Sequence, residues 1–168
     1  MVLTNEIIRN KLTEKFGDQL GDWSEPYGTL TFTSDKNLNL KVLQYLFDEP
    51  SLGFQFLTDL CAVHYPDNEG KELAVIYHLH NLRENVRIRY KIFTDIKKPD
   101  VFSAYALYSA ANWMERETYD FFGVNFLGHP NLKRILNIEE MEYFPLRKEY
   151  PLEDQQRTDK DDEMFGRI

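Results

Sequence analysis

Four histidines, a single cysteine and one dense run of charges are the parts of this chain able to do chemistry. His78 and His80 lie two apart in a stretch that reads as a strand, so they share a face, and His64 could approach them across a hairpin. Three converging imidazoles would suit zinc or iron. The plainer expectation is that they are polar positions on the wet face of a sheet. Asp59 and Cys61 fall on the opposite face of their strand from His64, which speaks against a Cys–His nucleophile pair. No P-loop is present, no GxGxxG follows a strand, and no serine sits in a nucleophile elbow. One thiol supplies neither a four-cysteine cluster or zinc site nor an internal disulfide. No residue of the chain is assigned a catalytic, cofactor-binding or metal-binding role.

The charged run is Trp113–Gly123. On a helix the neighbours Glu115, Arg116 and Glu117 splay apart, whereas Arg116 and Asp120, four apart, are set to pair, as are Trp113 and Arg116 at three. Glu117 and Asp120 stand a turn apart, and their like charges call for a nearby cation. Taken alone, such a cluster is an ordinary solvated helix face. What distinguishes it is the spacing onward to His129, Lys133 and Arg134, and then to the run from Pro145 through Leu146, Arg147 and Lys148 to Pro151.

Several elements must position these groups. Ile7, Ile8, Leu12 and Phe16 recur at helical spacing, with Thr4 or Asn5 as the cap and Gly17 as the stop. Tyr27–Thr33 alternates threonines with Leu30 and Phe32 and reads as a strand. Leu38–Asp48 places Leu38, Val42 and Tyr45 or Leu46 on one helical face before Pro50 ends it. Strands are expected at Phe54–Tyr65, Glu72–Leu82 and Val86–Thr94, the first two separated by a turn at Pro66–Gly70. In the last, Val86, Ile88, Tyr90 and Ile92 face one way and Arg87, Arg89 and Lys91 the other, so one side is core and the other is wet or meets a partner. Ser103–Phe122 is alanine-rich and reads as one long helix, stopped by Gly123.

From Val124 the texture changes. Gly128, Pro130, Pro145 and Pro151 interrupt regular structure, yet large apolar residues persist, as expected of an extended arm lying on something. The expected architecture is α+β: an N-terminal helix–strand–helix, a three-stranded antiparallel meander, a long helix, and the arm. The division falls between a domain over residues 1–125 and a partner-wrapping arm over 126–168. In the tail, Asp159–Glu163 is acidic, and Phe165 and Ile168 are candidates to tuck into a neighbour.

Composition agrees with a folded chain of one domain. It has 168 residues, 14% of them aromatic, and a formal net charge of −8. That charge disfavours general nucleic-acid binding, and no apolar run approaches the roughly 20 residues needed to cross a bilayer. The first residues lack the long apolar stretch of a signal peptide and carry Glu6 and Glu14, so a soluble, non-exported chain is expected.

Glu115–Leu136, ERETYDFFGVNFLGHPNLKRIL, strongly resembles the signature of the 30-kDa subunit family of respiratory complex I, the proton-pumping NADH:quinone oxidoreductase. The matching positions are Glu115-Arg116-Glu117, Asp120, Phe121-Phe122, His129, Lys133 and Ile135-Leu136, and the PLRKEYPLE segment downstream is also similar to the family. The resemblance implies an α+β subunit of the hydrophilic, quinone-module arm, with no flavin, iron–sulfur cluster or quinone site of its own. FMN, iron–sulfur clusters and quinone belong to the parent complex. It implies packing on the 49-kDa subunit and neighbouring hydrophilic-arm subunits, peripheral to the cytoplasmic side of a bacterial inner membrane. Similar subunits occur in membrane-bound hydrogenases and in plastid-type or deazaflavin-dependent dehydrogenases.

On that reading Arg116 forks to a carboxylate, and Glu115 and Glu117 receive Arg134, Arg147 or backbone N–H groups. His129 and Pro130 fix the turn out of the helix, the imidazole bonding locally. Along the arm, Tyr143, Phe144 and Leu146 are expected to be apolar anchors to the partner, with Arg147 and Lys148 as polar ones. Arg147→Glu is then expected to reduce assembly while leaving the domain folded.

Overall fold

The alternation at Val86–Thr94 does build a strand, and that strand is the centre of the main sheet. The structure, a computed structural model, describes residues 2–150. The chain runs through helix α1 (Asn5–Phe16), strands β1 (Leu20–Ser24) and β2 (Leu30–Ser34), and helix α2 (Asn39–Asp48). Strands β3 (Phe56–His64), β4 (Leu73–Asn81), β5 (Val86–Thr94) and β6 (Asp100–Phe102) follow, then helix α3 (Ala111–Phe122) and strand β7 (Asn125–Leu127). Thr4 is the cap of α1, its hydroxyl accepting the Ile7 N–H, and the acidic first turn suits the helix dipole.

Five strands form one sheet in the order β1-β2-β5-β4-β3. The expected meander β3-β4-β5 is antiparallel throughout. β2 adds to β5 in parallel, Leu30 opposite Ile88 through Ser34 opposite Ile92, so the sheet is mixed. Leu30 and Phe32 of β2, Val75, Tyr77 and Leu79 of β4, and Ile88, Tyr90 and Ile92 of β5 are all buried. They meet Ile8 and Leu12 of α1 and Val42, Leu43 and Leu46 of α2 in one core. The rings of Phe32, Tyr90 and Tyr77 stack across three strands at 5.0 and 5.7 Å, offset contacts worth a little beyond the area they bury.

Three features depart from expectation. β1 arises in a stretch with no strand pattern: its Gly21 and Asp22 sit at a bulge, where pairing with β2 shifts register. A second, two-stranded parallel sheet joins β6 to β7, so regular structure continues past the helix to Leu127. And the long helix does not start at Ser103. Residues 103–110 form turns instead, with the Tyr108 hydroxyl donating to the Phe54 carbonyl at 2.8 Å and the Leu107 and Tyr108 N–H groups both turning back to Ala104 O. Alanine content favours a helix there, but tertiary hydrogen bonds outweigh the few tenths of a kcal/mol per residue that propensity supplies. No helix among the described residues is long and apolar enough to cross a membrane. The acidic tail, Phe165, Ile168 and Pro151 lie outside the described residues.

Candidate functional site

Helix α3 and the segment after it are tied together by the charged residues that the sequence singled out. Asp120 is wholly buried. Its carboxylate accepts Nη1 of Arg134 at 2.8 Å, the backbone N–H groups of Ile135, Leu136 and Asn137 at 3.0, 2.8 and 3.0 Å, and the Asn137 side-chain amide at 3.1 Å. Burial by itself would raise the pKa. The N–H groups of Asn137 and Leu136, the Arg134 guanidinium and the Ile135 N–H outweigh it and hold the carboxyl well below the usual carboxylate range.

Arg134 is buried in turn, at 8% exposed. Besides Asp120 Oδ1 it serves Asp120 O at 2.8 Å through Nη1, and Met141 O at 2.6 Å and Tyr143 O at 3.0 Å through Nη2, while its guanidinium lies over the Phe144 ring at 5.0 Å. One guanidinium therefore joins the last turn of α3 to two later points on the arm, the use for which its fixed fork is suited.

A second joint lies beyond it. Arg147 donates Nε to Phe122 O at 2.8 Å and its guanidinium sits 4.6 Å from the centre of the Phe144 ring. Leu146 N–H reaches Phe121 O at 3.2 Å, and Lys148 N–H reaches His64 Nδ1 at 3.0 Å. Gly123, the C-terminal stop of α3, has φ +77°, and a Cβ there would stand 2.5 Å from Phe144 and 2.6 Å from Arg147. Glycine is needed twice, for the left-handed turn and for the close approach of the arm.

The remaining signature residues divide by face. Glu115 points inward and is fully buried, accepting the Ser103 hydroxyl at 2.6 Å and the Ala104 N–H at 2.7 Å. Burial pushes its pKa up to about 7, against the downward pull of those two hydrogen bonds. Arg116 points outward, 5.1 Å over the Trp113 ring, and donates to Lys133 O at 3.2 Å and Arg134 O at 3.1 Å. The expected Arg116–Asp120 pair is absent, because five donors already fill the lone pairs of Asp120. Arg134 and Arg147 likewise do not go to Glu115 or Glu117; Glu115 takes the backbone N–H, and Glu117 is exposed. His129 bonds locally only through Nδ1, which accepts the Asn131 N–H at 3.0 Å; that leaves the proton on Nε2, which donates back to Asn112 O of α3 at 3.0 Å.

Phe144 is half-buried among Arg134, Arg147 and Tyr119. Tyr143, Leu146 and Lys148 remain exposed, with Tyr143 against Tyr150 at 4.9 Å. Sequence reasoning passed over Asn137, Ser103 and Ala104. Asn137 has no distinguishing spacing, and Ser103 was hidden inside an expected helix.

The histidines do not converge. The β3–β4 register sets His64 opposite Leu73 at one end, and His78 opposite Asp59 with His80 opposite Phe56 toward the other. His64 shares the covered face with Leu60 and Ala62, whereas His80 bonds the nearby Asn85 at 3.0 Å. Among the described residues no group of three or more His, Cys, Asp or Glu could hold a metal ion. Burial, and then the charge of Asp59, push the Cys61 thiol up to about 11, so it is an unreactive thiol.

The profile of the family described as "Respiratory-chain NADH dehydrogenase, 30 Kd subunit" matches residues 32–156. The chain is 42% identical over 142 residues to the C subunit of NADH-quinone oxidoreductase from Methylorubrum populi, covering 84% of this chain and 64% of that protein. Against the protein of the same name from Streptomyces coelicolor identity is 40%, covering 74% and 50%. The chain thus spans about half to two thirds of the length of these relatives. Among solved structures, a trypsin-resistant fragment of Nqo5 aligns at 25% identity with a TM-score of 0.64, covering 74% of this chain and 98% of the fragment. A chain of the membrane-bound sulfane sulfur reductase, an archaeal respiratory membrane complex, shares the fold with a TM-score of 0.73 at 23% identity, over 88% of this chain and 85% of that one.

Proposed function

The chain belongs to the respiratory-chain NADH dehydrogenase 30-kDa subunit family, and from that premise we propose that it is a non-redox structural subunit of proton-pumping NADH:quinone oxidoreductase. Its place is the quinone module of the hydrophilic arm, packed on the 49-kDa subunit. It is peripheral to the cytoplasmic side of a bacterial inner membrane, and it supports the electron path from NADH to quinone without holding FMN, a cluster or the quinone itself.

The observation that carries this reading is the arm. Arg134, Arg147 and Phe144 bond both to α3 and within the arm, which fixes the arm's course, while the same segment turns large apolar side chains outward. Leu136 and Ile138 are 69% and 67% exposed, and Tyr143, Leu146 and Tyr150 are exposed beside them. A pre-formed ridge of this kind is what a permanent partner buries. Residues 126–168 are read as the partner-wrapping part, and 1–125 as the domain that holds it in place.

The test is to tag the chain in its source cell, solubilise membranes gently and run a native gel stained for NADH oxidation. Migration in a very large, NADH-active band is expected. A free single-chain species would overturn the proposal. A large band inactive with NADH would move the chain to a hydrogenase-type or deazaflavin-dependent assembly.

A further inference from the structure

The main sheet has two unlike faces. One meets α1 and α2 in the core; the other leaves Arg87 and Asp59 exposed and His78, Arg89, Lys91 and Cys61 half-exposed. Along β5, the central strand, Arg87, Arg89 and Lys91 share this open face, and same-face positions repeat about every 6.6 Å. Register places Arg89 between Thr31 and His78, and Lys91 between Thr33 and Ile76. Among the described residues none of the three cations forms an ion pair.

Among the described residues acids stand only at the margins. Asp22 of β1 accepts the Thr33 hydroxyl at 2.9 Å, Asp59 of β3 lies opposite His78, and Glu117 of α3 is close enough to Cys61 to raise its pKa slightly. Burial, then the Arg89 charge, lower the His78 pKa from its ordinary value, with Asp59 opposing. The stripe is therefore three fixed cations in a row down the middle of a sheet, in a chain of net charge −8.

We propose that this stripe is a second docking surface, which receives a neighbouring subunit through a row of carboxylates lying along β5. Acids at every fourth position of a helix repeat about every 6 Å, and acids at alternate positions of an extended segment repeat about every 6.6 Å; either matches the spacing of the cations. The inference rests on the chain being a subunit of an assembly. Charge decides among occupants. In a twofold dimer a second copy would oppose stripe to stripe, and two bodies of charge −8 repel. A lipid surface is held by clusters of about 4–8 cations, and nucleic acid needs a basic surface to displace its counterions. An acidic protein segment answers to three cations bordered by acids.

Phe93 lies next along this face and is half-exposed, so Phe93→p-benzoylphenylalanine is a conservative photo-crosslinking probe. It is placed in the full chain in its source cell, with Ile138→p-benzoylphenylalanine on the arm as the companion. Membranes are irradiated and the crosslinked peptides are sequenced. The expected result is that the Phe93 probe captures an acid-rich segment of another subunit, and that Arg89→Glu with Lys91→Glu lowers the chain recovered in the assembly by roughly tenfold. Arg83→Glu, on the turn outside the stripe, leaves recovery unchanged.

Capture by the Ile138 probe with none at Phe93 would overturn the docking surface and leave the proposed function standing. Capture at neither position, with the chain migrating free, would remove the function reading as well. Crosslinks from Phe93 to lipid, to a second copy, to residues 151–168 of the same chain or to an acid-poor segment would each overturn the proposal. Should the double variant fail to fold, the crosslinks still decide.

Discussion

Asp120 and Glu115 sit five residues apart on one short helix and are driven in opposite directions by their surroundings. Asp120 has an arginine and three backbone N–H groups, so its anion is stabilised in the folded state. Asp120→Ala strands Arg134 in a buried site and is expected to cost about 3–5 kcal/mol, the usual size for breaking such a pair, in urea unfolding of the isolated chain. Because its folded pKa is depressed, the Asp120 contribution is complete above about pH 4 and is lost as pH falls from there through the lowered value. Glu115 behaves the other way. With two neutral donors and no cation on it among the described residues, its pKa stands near 7, so its contribution is complete below the unfolded value of about 4.3 and is lost as pH rises from there through neutrality. Glu115→Gln keeps both hydrogen bonds, since an amide oxygen accepts the Ala104 N–H and the amide nitrogen donates to Ser103. The variant is expected to flatten the fall in stability between pH 5 and 8, which the pKa displacement sizes on the order of 2–3 kcal/mol. An unchanged slope would show that Glu115 is not the titrating group.

At the scale of elements, the joint between α3 and the arm depends on a residue with no side chain. Gly123→Ala imposes a left-handed conformation on alanine and drives its Cβ into Phe144 and Arg147. A loss of about 1–3 kcal/mol is expected from backbone strain of this kind. The arm should also come away from the helix, so that trypsin cuts after Arg147 or Lys148 several-fold faster than in the parent chain while the far-UV spectrum is kept. Arg147→Glu acts at the same joint. With its Nε bond to Phe122 O and its stacking on Phe144 gone, the isolated chain itself should show the looser arm. From the sequence alone the effect is expected in assembly only. The helix start teaches the same lesson from the other end: Ser103 and Ala104 are held by Glu115, and that capture, made eleven and twelve residues away, stops the alanine-rich stretch from joining α3.

For the whole molecule, the arm's outward ridge and the cationic sheet face are the surfaces that nothing in the folded core requires. Leu136→Ser with Ile138→Ser removes two exposed apolar side chains and is expected to leave stability within about 0.5 kcal/mol, yet to deplete the chain from the large NADH-active band; equal recovery would show that the ridge is not buried by a partner. Short-range rules govern everything that the residues alone made legible. The alternation of β5 set its two faces, the periods of α1 and α2 set their buried stripes, Gly123 marked a helix end, and the spacing from Glu115 to Leu136 identified the family. Partners were left to the closed chain. Period-two alternation says that Arg89 and Tyr90 point apart, but not that β2 lies parallel beside them. Helical spacing brings Arg116 within reach of Asp120, but which cation occupies that carboxylate depends on a chain reversal fourteen residues on, where Arg134 arrives with three backbone N–H groups and a single arginine cannot match them. Local sequence sets which way a side chain faces; only the folded chain, having met the entropy cost of its loops, sets what it finds there.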